Sequence, residues 1–346
     1  MNILRSMLAR AVRVQSGIRL AVSRHYAATI AAAASAERIG FIGLGHMGGK
    51  MVENMKRDGK QLLVFDLDSA AVAKVATCPE IQAATSVLQI AKSCSIVFSM
   101  LPNDKAVQSI AGTLLRDSPA GRKMFHISCS TISPVTSRAL AAEFSKQGKV
   151  YISAPVFARP DGIAKRQATW MLAGDPEGKR IASDLLSSAG KVIDYGTDVG
   201  ASNVVKLCGN FLIAASIEAI SESMALAEKH GVDRKDVMTM LSSSIFDCLI
   251  YKGYGQRVSH RDHRPGGFSL ALGLKDCTLV NEAARQADVP MPFLSVLLDR
   301  YTSAKAKGRA DFDWSAIGLG AAEDAGIDVS ADVARNRKDC QDGNNY

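Results

Sequence analysis

The chain has 346 residues, 47% of them hydrophobic and 22% charged, with a formal net charge of +8. That length allows about two domains and that apolar share a sizeable core, which excludes a chain too polar to fold. The charge does not point to nucleic acid, because Arg5, Arg10, Arg13, Arg19 and Arg24 precede the first acid, Glu37, and setting these five aside leaves only +3, too little for a basic footprint.

Residues 1–36 are rich in Arg, Ala and Ser, free of acids, and carry apolar residues between the arginines. This is the composition of a mitochondrial transit peptide, with a plastid one as the alternative; Arg24-His25-Tyr26-Ala27 reads as the cleavage region. A secretory signal would instead gather its charge ahead of one apolar stretch. No run of about 18 apolar residues occurs, so no transmembrane helix is predicted. Seven cysteines, at 78, 94, 129, 208, 248, 277 and 340, form no Cys-x-x-Cys pair and have no histidines at zinc spacing. They read as reduced thiols, and no metal site is expected.

From Arg38 to about Asp194, short apolar runs alternate with helix-like segments. Candidate strands are Ile39–Ile42, Leu62–Phe65, Ile96–Phe98, Phe125–Ile127 and Val150–Ile152, followed by Thr169–Leu172 and Val192-Ile193. This alternation predicts an α/β fold with a doubly wound parallel sheet. After Gly200 the pattern changes. Ala201 to about Lys229 reads as one long helix whose main interruption is Gly209, and Phe211–Ala225 is apolar on several faces, as in a helix buried between layers. His230-Gly231-Val232-Asp233 reads as a stop followed by an N-cap. Helices are also predicted over Leu270–Ala287 and Phe293–Lys307. The segment from about Ser330 to Tyr346 is polar, without periodicity, and reads as loosely ordered. The expected organisation is a presequence (1–36), an α/β domain (37–199), an all-helical domain (200–328) and a polar tail (329–346).

Gly43-Leu44-Gly45-His46-Met47-Gly48 fits G-x-G-x-x-G between a predicted strand and a predicted helix, and Asp66 ends the next strand. Together these form the fingerprint of a Rossmann domain that binds a dinucleotide. Gly43 permits a tight turn, Gly45 lets the backbone approach a pyrophosphate, and Gly48 lets the helix pack on the strand. The helix N-terminus supplies N–H donors to the phosphates. Asp66 accepts hydrogen bonds from ribose hydroxyls and repels a 2′-phosphate, and no Arg or Lys follows closely to offset it. NAD is therefore expected over NADP.

Lys206 and Asn210 stand four residues apart near the start of the long helix and share one face. A partly buried lysine there would have a lowered pKa and suit proton transfer to or from a substrate oxygen, with the amide orienting substrate or ammonium. A surface lysine beside an unrelated asparagine has the same spacing, which alone does not choose between them.

Taken together, these motifs resemble the β-hydroxyacid dehydrogenase family, typified by 3-hydroxyisobutyrate dehydrogenase, over about residues 38–325. The resemblance rests on Gly43–Gly48, on Met100-Leu101-Pro102, on Ser130-Thr131-Ile132-Ser133-Pro134, on Gly200–Asn210 and on Leu274-Lys275-Asp276, in that order. It implies an NAD-dependent dehydrogenase of a small β-hydroxy acid. Lys206 would be its general acid/base, aided by Asn210. Ser130 would hold the substrate carboxylate, and Lys275 would serve the cofactor and the mouth of the site. Leu101, Pro102 and Thr131 would lie along the cofactor, with Leu44, His46 and Met47 of the Gly-rich turn. It also implies a homodimer or homotetramer. The same site would serve a reductase of a semialdehyde or glyoxylate; an imine reductase is disfavoured by Lys206, and a decarboxylating 6-phosphogluconate dehydrogenase would need a larger helical domain. Outside the enzymes, the alternative is a dinucleotide-binding scaffold.

The chain departs from the family's usual Asp-Ala-Pro-Val-Ser-Gly-Gly substrate loop, reading Ser153-Ala154-Pro155-Val156-Phe157-Ala158-Arg159-Pro160. Arg159 either replaces the lost donors with a bidentate contact to an acid or points to solvent beside a reshaped pocket. Cys129, Trp170 and Trp314 read as packing, Phe268 as core or pocket wall, and His260–Arg264 as a solvated loop.

Overall fold

The apolar runs become nine strands among the described residues, 38–341 of a computed structural model. These are β1 (Ile39–Ile42), β2 (Leu62–Phe65), β3 (Ile81–Ala83), β4 (Ile96–Ser99), β5 (Phe125–Ser128), β6 (Val150–Ser153), β7 (Val156–Phe157), β8 (Ala168–Gly174) and β9 (Gly190–Asp194). The segment read as a presequence lies outside the described residues. The strands join one sheet in the order β3-β2-β1-β4-β5-β6-β8-β7, with β9 on β8. The first six pair in parallel, Phe41 lying opposite both Val64 and Phe98.

The sheet is mixed rather than wholly parallel. β8 runs antiparallel to β6 and β7, because the ten residues between β7 and β8 hold only a one-turn helix, too little for a parallel crossover. The central strands are buried on both faces, which explains their unbroken apolar runs.

Helices α1 (His46–Arg57), α2 (Ser69–Val75), α3 (Val87–Ser93), α4 (Asp104–Asp117), α5 (Pro134–Lys146), α6 (Pro160–Ala164) and α7 (Pro176–Leu186) accompany the sheet. Ser86, Asn103, Ser133 and Asp175 cap helices with side-chain oxygens, as expected for such residues. By contrast, α1 has Gly45 as its N-cap and no side-chain cap.

The second half is helical: α8 (Val199–Lys229), α9 (Arg234–Ser243), α10 (Leu249–His260), α11 (Leu270–Gln286), α12 (Pro292–Ala306), α13 (Gly318–Asp324) and α14 (Ser330–Gln341). By length and composition α8 could cross a membrane, its best window having a mean hydropathy of 1.5. In this fold it is a central strut: its start packs on β6, β8 and α5, and the rest on α10, α11 and α13. The apolar core of this half gathers around it, including Leu207, Ile217, Tyr301 and Trp314.

Two stretches depart from expectation. Ser330–Gln341, where no element is predicted, forms α14. Its hold is polar: the buried Asn336 accepts from the His263 N–H at 2.7 Å and donates to the Arg261 carbonyl at 2.9 Å. His260–Arg264 is not a solvated loop throughout. Arg261 and His263 are buried, with Glu228 and Asp332 neutralising Arg261 and Ser315 Oγ 2.9 Å from His263 Nδ1.

Candidate active site

The loops after β1 and β4 leave adjacent strands on opposite sides of the point where strand order reverses, which is where open α/β sheets form ligand crevices. They touch here. Gly43 has φ +96°, and a Cβ on it would lie 2.3 Å from the Met100 carbonyl oxygen. A Cβ on Gly48 would lie 2.0 Å from the Gly43 carbonyl oxygen, so α1 packs hard against the turn. Gly45 differs, since a Cβ there would meet nothing within 4 Å. The first and third glycines are thus required by the protein's own packing, while the second faces open space at an uncapped helix N-terminus. That is the cradle a pyrophosphate needs.

Asp66 shapes this cradle. Its carboxylate accepts the Leu44 N–H at 2.6 Å and the Asp68 N–H at 2.9 Å. An ionised carboxylate has about four acceptor positions, so capacity remains for ribose hydroxyls. His46 and Pro102 are exposed, and Met47 and Leu101 half-buried, around the same crevice.

The loop after β5 is tied from both sides. Ser130 Oγ accepts the Leu101 N–H at 2.8 Å, and Lys275 Nζ donates to the Thr131 carbonyl at 2.7 Å. Lys275 belongs to α11, so this bond links the helical half to the cofactor side of the sheet. Ser130 is buried, and its hydroxyl hydrogen remains available to a ligand.

The start of α8 is fixed just as firmly. Asp198 caps it through the Gly200 N–H and is gripped by both arms of Arg138, at 2.9 and 2.7 Å. One turn on, Ser153 Oγ donates to Asn203 Oδ1 at 2.9 Å. These anchors set the azimuth of the helix and carry Lys206 and Asn210 toward α11. Asn210 Nδ2 donates to Asp276 Oδ2, and Asp276 Oδ1 pairs with Lys275 Nζ at 2.6 Å.

Lys206 itself has no hydrogen-bond or ion-pair partner among the described residues. Its Nζ sits 4.3 Å from the centroid of the Phe157 ring. Burial pulls its pKa from 10.5 to about 8, with Asp276 resisting and Lys275 assisting.

Phe157 and Arg159 fill the altered loop. The Phe157 ring presses on α8 at Gly209, where a Cβ would lie 2.1 Å from ring Cζ. Arg159 crosses to the helical half, 3.4 Å from Asp313 Oδ2 and 3.5 Å from the Tyr254 hydroxyl, with about a third of its side chain exposed. It neither points freely into solvent nor makes a close bidentate pair. Phe268 is half-buried and packs edge-on against Trp314 at 4.8 Å, at the margin of the core. Trp170, Trp314 and Cys129 are buried.

Reasoning from sequence gave no role to Asn203 or Asp276. Asn203 sits on the same face as Lys206 and Asn210, at i, i+3 and i+7, and that polar spacing was readable. Asp276 lies next to Lys275 in sequence, but its partnership with Asn210 depends on two helices meeting.

Comparisons with known proteins agree with this geometry. A family model described as the NAD binding domain of 6-phosphogluconate dehydrogenase matches residues 38–209, and one described as the NAD-binding of NADP-dependent 3-hydroxyisobutyrate dehydrogenase matches residues 200–318. The uncharacterized oxidoreductase YfjR of Bacillus subtilis is 33% identical, across 81% of this chain and 98% of its own. The mitochondrial 3-hydroxyisobutyrate dehydrogenase of Drosophila melanogaster is 32% identical, across 82% and 88%. A solved structure of Mycobacterium tuberculosis 3-hydroxyisobutyrate dehydrogenase with L-serine superposes with a TM-score of 0.73 at 27% identity, covering 82% of this chain and 98% of that one.

Proposed function

The chain belongs to the 3-hydroxyisobutyrate dehydrogenase family of β-hydroxyacid dehydrogenases, and from that premise we propose that it is an NAD-dependent dehydrogenase of a small β-hydroxy acid with Lys206 as general acid/base. The observation that carries this reading is the placement of Lys206: within the field of Asp276 and Lys275 on α11, with no ion-pair partner among the described residues, and with burial lowering its pKa to about 8. An amine so placed can exchange a proton with a substrate oxygen near neutral pH.

When bound, the nicotinamide dinucleotide supplies the hydride acceptor or donor. Gly43–Gly48 and the N-terminus of α1 would hold its pyrophosphate. Asp66 would take the ribose hydroxyls, and its charge favours NAD over NADP. Leu101, Pro102 and Thr131 would line its course. Lys206 would accept the substrate hydroxyl proton in oxidation and return it in reduction, while Asn210 keeps substrate and ammonium aligned. The Ser130 hydroxyl and Lys275 are the donors proposed for the substrate carboxylate and the mouth of the site. Arg159, one-third exposed, is a further candidate for the carboxylate.

The same pKa supports the reverse reaction. At pH 7 a group with a pKa of about 8 is mostly protonated, so Lys206 is then better prepared to give a proton than to take one. Reduction of a semialdehyde or glyoxylate is therefore the second reading. The test is a panel of β-hydroxy acids and the corresponding aldehydes with both dinucleotides, followed by reduced-nicotinamide absorbance. Turnover of at least one β-hydroxy acid with NAD supports the proposal; tight dinucleotide binding without turnover of any would overturn it.

Residues 1–36 have the composition of a presequence, which supports location in the mitochondrial matrix, with the plastid as alternative. α8 leaves Leu212 and Leu226 exposed, at 62% and 63%. A second copy of the chain is the proposed cover, in a homodimer or homotetramer.

A further inference from the structure

A glycine in the interior of a long helix costs stability relative to alanine. α8 nevertheless carries Gly209 between Lys206 and Asn210. The reason is steric, because the Phe157 ring occupies the space a Cβ would take. The opposite consequence appears at Lys206, whose ammonium lies 4.3 Å from the centroid of the same ring. One aromatic side chain thus touches the backbone of α8 and the proton-carrying group one turn before it.

The surroundings leave this contact unopposed. From α11, Asp276 attracts and Lys275 repels the Lys206 charge, and neither bonds to it. From the loop that carries Phe157, the nearest charge in sequence is Arg159, whose guanidinium lies 3.4 Å from Asp313 Oδ2 and 3.5 Å from the Tyr254 hydroxyl. These contacts tether the loop two residues beyond Phe157.

We propose that Phe157 is a positioning residue for Lys206: seated on the bare backbone of Gly209, its ring holds the ammonium from one side and keeps water off that side, so that Lys206 stays ordered with no ion pair among the described residues. The ring attracts the ammonium through its negative face, while its bulk denies the ammonium hydration. These two effects act oppositely on the proton affinity of Lys206, and substitutions can separate them. The link to catalysis rests on the acid/base reading of Lys206; the contact itself does not.

The test is competitive acylation of the full-length protein across a pH series, with labelling of the Lys206 peptide read by mass spectrometry. It measures the titration of Lys206 without requiring turnover. Phe157→Ser admits water, and the labelling midpoint should rise by about one pH unit toward the ordinary lysine value. Phe157→Leu keeps the apolar cover and loses the ring face, so its midpoint should stay level with the unsubstituted protein or fall. If Phe157→Ser does not fold, Gly209→Ala, which pushes the ring away from α8, should give the upward shift instead. A midpoint unmoved by opening this contact, or an equal rise in Phe157→Leu, would overturn the proposal. The pH dependence of turnover, measured alongside, separates the two readings. If the labelling midpoints move as described while the rate profiles stay fixed, the positioning role stands and the acid/base role of Lys206 fails.

Discussion

The Asn210 amide donates to the buried Asp276 carboxylate, joining α8 to α11 one turn beyond Lys206. Asp276 also pairs with Lys275. One carboxylate therefore orders the asparagine and the second lysine, while acting on Lys206 through its field alone.

This division of labour predicts the behaviour of Asp276→Asn. Asp276 is the attractive charge that raises the pKa of Lys206 against burial and the nearby Lys275. Its removal should lower the midpoint of the pH–rate profile for hydroxy-acid oxidation below about 8. Steady-state rates across a pH series check this. A midpoint moved upward would contradict the assigned sign.

Asp66 holds the Leu44 N–H and would face the adenine ribose, so its charge should govern cofactor choice. Asp66→Asn removes the repulsion toward a 2′-phosphate, and the KM for NADP should fall about tenfold. NAD should bind less well, because an amide cannot accept from both Leu44 and Asp68 as the carboxylate does. KM values for both dinucleotides decide. An unchanged KM for NADP would show that Asp66 does not set the preference.

Two histidines should make the fold acid-sensitive. His126 is buried between Phe144 and Tyr151, with Ser99 Oγ 2.9 Å from Nε2. Burial lowers its pKa to about 3 and that of His263 to about 4. Both stay neutral in the fold while the unfolded chain protonates near 6.5. Stability is therefore full well above pH 6.5 and falls as the pH drops toward the folded values, with a slope that approaches about 1.4 kcal/mol per pH unit for each histidine about one unit below 6.5. Urea unfolding between pH 6.5 and 5 should show this slope, and His126→Phe should reduce it by one histidine's share. A slope unaltered in that variant would contradict the account.

Much of this was legible in the sequence, for identifiable reasons. The four-residue central strands are buried on both faces and announce themselves as apolar runs. The glycine turn carries its own steric logic, visible as spacing. β3 and β7 are only three and two residues long, too short for any periodicity to register. α14 escaped because Asn336 and its backbone partners hold it in place of an apolar stripe. Lys206, Asn210 and Lys275 were nameable from spacing and family resemblance. Asp276 as their common carboxylate, and Phe157 against Gly209, depend on separate elements meeting in the fold. Single-chain patterns contain no signal for such contacts.

The central claim is that Lys206 moves the substrate proton, and Lys206→Ala tests it most directly. With the substrate identified by the panel, kcat for the variant should fall about 10²–10⁴-fold, while NADH affinity by fluorescence titration stays within about twofold. A variant that binds NADH normally and keeps a near-normal kcat would contradict the account.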